Sequence, residues 1–359
     1  MIVSRNNILV VGGYGQVGRV ISTWLGQRYP GHVIAAGRHI EKINSHAVGT
    51  NEQVRPLVLD LDSNDEYDAL LGEVRVAVSS VERPDDDHFV RACLARGVHY
   101  IEVGTSFETL QRVLRLNSLA RESGAAAVAC AGLTPGLSNL IAAYLAGKLD
   151  HTQSIDIHLM LGLGDSHGVD AVRWMLSYAD RCFTIQTAGG PKTVESLTDP
   201  VKVTFPGETK QRTTYRFDLA DQHVLPTTTG TAGASTRLCF DVRWVTLLVA
   251  GMKRANLVRA LQRWDPSTLV GLLRMLKLGS DLFALQVEAA GVVNDRVVAL
   301  SAGATGREEA RATGVVTALA ADALYQGWIP PGVHHLEQVL QIADLLGRLE
   351  KEGIHLWLP

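Results

Sequence analysis

A glycine-rich segment near the start of the chain has the residue types and spacing of a phosphate-binding turn. It follows an apolar run at residues 8–11 and leads into a helical pattern. In such a turn Gly13 allows the tight bend, Gly15 lets the backbone approach a pyrophosphate, and Gly18 lets helix and strand pack closely. We therefore predict that a dinucleotide site is formed here by Gly13, Tyr14, Gly15, Gln16, Val17 and Gly18.

The end of the second predicted strand indicates which dinucleotide is bound. An NAD-binding unit places a carboxylate there for the ribose hydroxyls, but this sequence has Gly37, Arg38 and His39. A guanidinium forms charge-assisted hydrogen bonds to a phosphate, so Arg38, helped by His39, favours NADPH or NADP over NAD. Ligands of such sheets lie outside the carboxyl ends of the strands. We therefore add to the cofactor site Asp60, Ser79 and Ser80.

The second half of the chain contains a group of polar residues that could bind or act on a substrate. His167, Asp170 and Arg173 precede or lie on a predicted helix, and we assign them to the catalytic site. An imidazole suits general acid catalysis, and the guanidinium of Arg173 or Arg237 can hold a substrate carboxylate. The histidines and the four scattered cysteines lack the spacing of metal ligands, so we expect no metal.

The elements that position these residues follow from the spacing of apolar side chains. Up to residue 130, short apolar runs alternate with helical patterns, which is typical of a parallel sheet covered by helices. After residue 149 the runs alternate with period two, which predicts a second, mostly antiparallel sheet. The first-sheet strands are predicted at 8–11, 33–36, 56–59, 75–78, 99–103 and 126–130. Helices over the second sheet are predicted at 169–181, 245–263 and 267–286.

Composition bounds the partners and the compartment. The 359 residues carry a net charge of −3, and the sequence pI is about 6.5. Nucleic acid and anionic membranes attract a concentrated basic field, so the whole-chain charge predicts neither partner and favours a small-molecule substrate. The N-terminus lacks the continuous apolar region of a signal peptide, and scattered cysteines are typical of a reducing compartment. We expect a cytoplasmic protein of two domains.

Several segments, in their order and spacing, resemble the saccharopine dehydrogenase-like oxidoreductases. Besides the glycine turn they are GVHYIE at 97–102, GLTPG at 132–136, ATG at 312–314, GWIPPGV at 327–333, and Glu337. The resemblance implies an α/β fold, with a Rossmann doubly wound parallel sheet at 1–135 and 312–359. It also implies an inserted α+β substrate and dimerisation domain at 136–311, on a mixed, largely antiparallel sheet. A homodimer is implied as well.

The same resemblance implies roles for individual residues. It places the 132–136 loop beside the nicotinamide, and Glu102 matches an acidic position after the fifth strand. Saccharopine reductases have an acidic residue where this chain has Thr134, and their long proline-rich substrate loop has no counterpart. The sequence therefore does not favour saccharopine as the substrate. The implied cofactor contacts are Gly13, Gly15, Gly18, Arg38, Gly132 and Pro135.

Three functional hypotheses follow. The first is NADPH-dependent reduction of an imine, the C=N bond formed from an amine and a carbonyl compound. Glu102 or Asp170 would balance the iminium charge while an arginine fixes a carboxylate, and the cofactor carries the hydride chemistry. The second is reduction of C=C bonds in acyl chains on a carrier protein, with the leucine-rich segment 269–278 lining a groove. The third is an NADP-binding sensor without catalytic activity.

Overall fold

The computed structural model describes residues 5–38, 53–62, 69–81, 83, 86–104, 106–165, 169–261, 264–265, 268, 271 and 278–359. The chain divides into two units. The first contains residues 1–137 and 310–341, and the second contains residues 138–309 and 342–359. Each unit is built around its own seven-stranded sheet.

The first unit contains a parallel sheet with the strand order β15-β6-β5-β4-β1-β2-β3. The six strands predicted from the apolar runs are confirmed, and β15 is a seventh that the sequence did not reveal. Both faces of such a sheet are covered, which is why the strand residues read as continuous apolar runs. The strands are β1 (Asn7–Val11), β2 (Val33–Gly37), β3 (Val54–Val58), β4 (Val74–Ser79), β5 (His99–Glu102), β6 (Ala126–Ala129) and β15 (Gly332–His335).

The helices of the first unit connect these strands. Ser106 caps one of them, accepting a hydrogen bond from the backbone N of Thr109 at 3.2 Å, and the left-handed Gly124 ends the next. The longest is alanine-rich and buried over most of its length. The helices are α1 (Gln16–Arg28), α2 (His88–Ala95), α3 (Phe107–Leu114), α4 (Asn117–Ser123), α10 (Glu309–Tyr325) and α11 (Leu336–Val339).

The second unit contains a mixed sheet with the order β10-β11-β12-β7-β13-β14-β16. Strands β12 and β7 are parallel, and the other neighbouring pairs are antiparallel, which confirms the predicted fold class. A separate hairpin, β8 (Cys182–Thr187) and β9 (Gly190–Glu195), was not predicted. The sheet strands are β7 (His151–Leu161), β10 (Val201–Val203), β11 (Arg212–Arg216), β12 (Ala234–Phe240), β13 (Leu282–Val293), β14 (Arg296–Arg307) and β16 (His355–Trp357).

The helices of the second unit differ from the predicted ones at two places. The helix predicted at 267–286 is wrong at its end, because from Leu282 onward the backbone pairs with β7 and β14 as β13. The helix predicted at 245–263 is interrupted at Asn256, which is left-handed with φ 56°. The helices are α5 (Leu137–Ala146), α6 (Val169–Tyr178), α7 (Asp221–Thr229), α8 (Arg243–Arg254), α9 (Val258–Leu261) and α12 (Ile342–Lys351).

The C-terminal segment lies with the second unit, which differs from the domain boundaries expected from the sequence. Strand β16 pairs with β14, where Trp357 lies opposite Gly303. Helix α12 before it buries Leu345 and Leu349. The edge of β14 exposes backbone donors and acceptors that a neighbouring strand satisfies, and β16 meets this requirement.

The start of α7 buries a carboxyl group. Oδ1 of Asp221 accepts hydrogen bonds from Oγ1 of Thr236 at 2.6 Å and from the backbone N of Gln222 at 2.9 Å. Burial deprives the carboxylate of hydration and raises the pKa of Asp221 to about 6, although hydrogen bonds from Thr236, Gln222 and Ser138 oppose this shift. Between about pH 4 and about pH 6, the native state therefore keeps a proton on Asp221 that the unfolded chain has released.

We predict that the Asp221→Asn variant lacks one pH dependence of the wild type. The unfolded carboxyl loses its proton near about pH 4, but the native one keeps it until about pH 6. The wild type therefore loses stability as the pH rises through this window, by an amount on the order of 2 to 3 kcal/mol. The urea-unfolding midpoint is measured for both proteins at about pH 4 and at about pH 7. The midpoint of the variant, relative to that of the wild type, should be higher at about pH 7 than at about pH 4. A difference between the proteins that does not change with pH would contradict this assignment.

Candidate active site

The glycine turn after β1 is shaped by contacts that leave no room for side chains. Gly12 is left-handed, with φ 74°. A Cβ atom on Gly13 would lie 2.8 Å from Cα of Ala35 in β2, and one on Gly18 would lie 2.1 Å from the carbonyl oxygen of Gly12. Gly18 thus allows the close packing of α1 that was predicted. The left-handed bend falls on Gly12, however, and Gly13 instead lets the turn pack against β2.

The Gly15 position is open on the side that faces away from the turn. It is the N-cap of α1, with φ −68° and ψ 175°, and it is exposed. The contact that an added Cβ would make is with the carbonyl oxygen of Gly12 at 3.2 Å. The first turn of α1 contains no acidic residue. Its backbone amides and partial positive charge are therefore available to an anion such as a pyrophosphate.

Tyr14 and Arg38 lie near each other at the carboxyl ends of β1 and β2. A Cβ atom on Gly37 would lie 2.0 Å from Cε1 of Tyr14, so the tyrosine ring lies directly against the end of β2. Arg38 follows Gly37 and its side chain is exposed. The guanidinium thus belongs to the same sheet edge as the glycine turn, while His39 lies outside the described residues.

Three further predicted cofactor residues follow β3 and β4 and make local hydrogen bonds. Asp60 accepts one at 3.1 Å from the amide two residues later, and Ser79 donates one at 3.2 Å to the carbonyl two residues later. Oγ of Ser80 donates to the carbonyl oxygen of Val11 at 2.8 Å. A Cβ atom on Gly18 would lie 2.7 Å from the same oxygen of Ser80. Ser80 therefore supports the glycine turn.

The 132–136 loop between β6 and α5 closes on itself. The amide of Gly132 donates to the carbonyl of Pro135, and the amide of Leu137 donates to the carbonyl of Gly132, both at 2.9 Å. Gly136 has φ 140°, and a Cβ atom there would lie 2.0 Å from the carbonyl oxygen of Gly132. Substitution of Gly136 would therefore open the loop. The Thr134-Pro135 peptide bond within the loop is cis.

Helix α10 holds this loop and also contacts α1. Oγ1 of Thr313 accepts a hydrogen bond from the amide of Leu133 at 3.2 Å, and Oγ1 of Thr317 donates to the carbonyl that precedes the loop at 2.6 Å. A Cβ atom on Gly314 would lie 2.6 Å from Cβ of Val20 in α1. One helix from the C-terminal part of the chain thus fixes the loop relative to the glycine turn.

The hydroxyl of Thr134 is the polar group of this loop that lacks a partner. The side chain is buried, and Oγ1 makes no hydrogen bond to any described residue. Buried hydroxyl groups are nearly always hydrogen-bonded, so this oxygen fits a site where a ligand supplies the partner. The open Gly15 position, the amides of α1 and the exposed guanidinium of Arg38 fit a dinucleotide phosphate in the same way.

Glu102 ends β5 as a buried carboxylate, 5% exposed. Its Oε2 accepts a hydrogen bond from the hydroxyl of Tyr100 at 2.8 Å, and its Oε1 accepts one from the amide of Gly104 at 2.9 Å. Burial and the neighbouring carboxylate raise the pKa of Tyr100 well above its usual value of 10.0, so Tyr100 remains a donor. The two side chains line a small pocket together with Ser79 and Arg112.

Besides Glu102, the residues predicted to act on a substrate belong to the second unit. Asp170 and Arg173 lie on α6, and the side chain of Arg173 is exposed. His167 lies outside the described residues. Their assignment to catalysis stays a prediction.

Arg237 is less available to bind a substrate carboxylate than its residue type suggested. It is buried, and its guanidinium lies 3.1 Å from Oδ1 of Asp156 and 3.1 Å from Oδ2 of Asp199. Carboxylates of the protein itself therefore satisfy the donors that a substrate carboxylate would need.

Tyr100, Thr313 and Thr317 were not predicted from the sequence, although a signal existed for two of them. Tyr100 stands two positions before Glu102 in a strand, so the two side chains share a face. Thr313 lies within the ATG segment that carried the family resemblance. Thr317 had no such signal, because its role depends on the loop that α10 meets.

Within the described part of the chain, no group of three or more histidine, cysteine or acidic residues could hold a metal ion. None of the helices found there is long and apolar enough to cross a membrane.

Comparison with known proteins supports the reading of these elements. Residues 8–128 match the family model of the saccharopine dehydrogenase NADP binding domain. No curated protein matches the chain. Saccharopine dehydrogenase (L-Glu forming) from Saccharomyces cerevisiae has a similar structure, with a TM-score of 0.68, 14% identity, and 98% of each chain covered.

Two other solved structures align less well. An engineered D-amino acid dehydrogenase bound to NADP+ aligns with a TM-score of 0.48 and 12% identity, over 96% of this chain and 99% of that one. DAP dehydrogenase from C. glutamicum in complex with DAP aligns with a TM-score of 0.47 and 13% identity, over 96% and 99%. The family match covers β1 to β6, the strands that carry the glycine turn, Arg38 and Glu102. Residues 8–128 of the first unit thus match a saccharopine dehydrogenase-type NADP-binding domain, and the chain as a whole has a fold similar to that of the yeast enzyme.

Proposed function

We propose that the protein reduces an imine, the C=N bond formed from an amine and a carbonyl compound, with NADPH. The observation that carries this proposal is the buried, unpartnered hydroxyl of Thr134 in the 132–136 loop. Saccharopine reductases have an acidic residue at this position. A hydroxyl donates or accepts a hydrogen bond but does not release its proton near neutral pH. A substrate that needs no proton from this loop suits such a site best.

An iminium ion meets this condition because its nitrogen is already protonated. Its carbon is therefore electrophilic without an acid catalyst, whereas reduction of a ketone requires a proton for the developing oxyanion. NADPH, when bound, supplies the hydride. The residues of the chain bind and orient the reactants, and Thr134 supplies a hydrogen bond to the nicotinamide or to the substrate.

Glu102 supplies negative charge in this proposal. Two donors, Tyr100 and the amide of Gly104, hold the buried carboxylate in one place. A fixed, buried carboxylate stabilises a cation more strongly than an exposed one, because less water screens it. We assign Glu102 to the charge of the iminium, and we keep His167, Asp170 and Arg173 as candidate catalytic residues of the second unit. A cytoplasmic homodimer belongs to the same proposal.

We predict that NADPH oxidation depends on an amine and a carbonyl compound being present together. The assay uses a panel of amines paired with aldehydes or 2-ketoacids, each component alone, and enoyl thioesters. Turnover with the pairs and with neither component alone is the expected result, since only the pair forms an imine. Oxidation with enoyl thioesters alone would replace this proposal with C=C reduction. NADPH binding without turnover on any substrate would indicate a sensor.

We predict that Arg38→Ala weakens NADPH binding much more than NADH binding. A charge-assisted hydrogen bond to a phosphate contributes about 1.5 to 3 kcal/mol, so the Kd for NADPH should rise roughly 10- to 100-fold. The Kd for NADH, which lacks the 2′-phosphate, should change little. Arg55→Ala is the matched control, because Arg55 is an exposed arginine of β3 whose side chain pairs with Glu73. Equal losses for both dinucleotides would refute the phosphate contact.

We predict that Thr134→Val lowers kcat/KM while leaving the fold intact. The variant removes a hydroxyl that has no protein partner, so the unfolding midpoint should not fall. One neutral hydrogen bond is worth about 0.5 to 1.5 kcal/mol, which corresponds to a roughly 2- to 12-fold loss of kcat/KM. Thr134→Ser keeps the hydroxyl and should retain most of the activity. A valine variant with wild-type kinetics would exclude Thr134 from the site.

A further inference from the structure

Helix α8 of the second unit exposes a set of large apolar side chains. Trp244, Leu247 and Leu248 are 55%, 55% and 52% exposed, and their spacing places them on one side of the helix. Leu257 and Trp264, further along the chain, are 51% and 52% exposed. We call Trp244, Leu247 and Leu248 the α8 apolar face. Single exposed apolar residues are common on proteins, but adjacent ones on one helix face indicate an interaction surface.

The opposite side of α8 explains this arrangement. Thr246 and Ala250 are the buried residues of the helix, and Oγ1 of Thr246 accepts a hydrogen bond from the backbone N of Phe240 in β12 at 2.9 Å. Small residues thus attach α8 to the sheet, and the large apolar residues point away from it. An ordinary surface helix has the reverse arrangement, with its large apolar residues toward the core.

The exposed charges at the two ends of α8 are basic. Residues 243–264 contain five basic residues and no acidic residue. Arg243 and Arg254, at the two ends of α8, are exposed. Lys253 and Arg259 form ion pairs with Asp180. The net charge of −3 for the whole chain therefore conceals a local surface that is both apolar and basic.

We propose that the α8 apolar face docks on an anionic lipid surface, in the plane of the membrane interface. Tryptophan and leucine on one side of a helix, with arginines at its ends, are the side chains of interfacial helices. Trp244, Leu247 and Leu248 enter the boundary between headgroups and acyl chains, and Arg243 and Arg254 contact lipid phosphates. The expectation of no membrane partner rested on the whole-chain charge, which does not describe this surface.

A second copy of the chain fits the same face less well. Antiparallel pairing of two α8 helices would place Arg243 of one copy beside Arg254 of the other, with no acidic residue of the segment to pair with them. Stable protein interfaces bury at least about 1,200 Å² in total, more than three side chains provide. Anionic headgroups instead complement both Arg243 and Arg254.

The test is co-sedimentation of the full-length protein with vesicles. Vesicles of phosphatidylcholine alone are compared with vesicles of phosphatidylcholine and phosphatidylglycerol, at low and high salt. We expect binding to the mixed vesicles that weakens with salt, together with a blue shift of tryptophan fluorescence. The double variant Leu247→Glu/Leu248→Glu should lose at least about tenfold in affinity for the mixed vesicles. Arg243→Gln/Arg254→Gln should lose mainly the salt-dependent part of the binding.

A matched control adds the same charge elsewhere on the second unit. Leu282 and Val297 are also exposed, at 40% and 77%, so Leu282→Glu/Val297→Glu should leave vesicle binding unchanged. NADPH binding reports that each variant is folded. Failure of the wild type to bind either vesicle overturns the proposal, as do equal losses in the control.

Two further results would assign the face to another occupant and would also overturn the proposal. The first is a concentration-dependent dimer, seen by sedimentation velocity, that Leu247→Glu/Leu248→Glu abolishes; it would indicate a second copy. The second is a lowered unfolding temperature in that variant without any vesicle binding by the wild type. It would indicate that the face is covered within the protein itself.

Discussion

The close approach of α1 to the turn after β1 sets the geometry at the carboxyl ends of the parallel strands. At Gly18 an added Cβ atom would lie 2.1 Å from the carbonyl oxygen of Gly12, so any side chain there would push the helix start away from the turn. Gly314 imposes the same kind of limit where α10 crosses α1. Because α10 also holds the 132–136 loop through Thr313 and Thr317, the glycine turn and the loop are connected through one helix within the first unit.

Several polar groups named above differ in whether the protein itself pairs them. In the second unit, the buried guanidinium of Arg237 pairs with the exposed carboxylate of Asp199, and Oδ1 of Asp221 accepts two hydrogen bonds. Groups already paired in this way contribute to the fold and offer little to a ligand. In the first unit, Thr134 is buried without a partner, and Gly15 is open. Thr134 thus places an unpartnered hydroxyl at the carboxyl edge of the parallel sheet, where ligands of such folds bind.

Much of the first unit could be predicted from the sequence, since its strands are continuous apolar runs and its glycine turn is a local pattern. The same reasoning failed at Leu282, where backbone pairing with two neighbouring strands decides the conformation, and at β15 and β16, whose short runs carry little periodicity. In the candidate site, Arg38 could be found from the position where β2 ends, and Glu102 from the resemblance to a known family. The partner of Glu102 and the unpartnered hydroxyl of Thr134 could not, because hydrogen bonding depends on what surrounds a side chain.

The sequence by itself determined the NADP-binding turn, the absence of a carboxylate after β2, and the order of the two sheets. These depend on residues within one or two turns of each other, whose chemistry is the same wherever the chain goes. Tertiary structure decided that Thr313 holds a loop 180 residues away, that the C-terminal strand joins the second sheet, and that α8 presents its large apolar side chains outward. Each of these is a matter of which surfaces meet, and periodicity shows that a helix has an apolar face without showing what that face contacts.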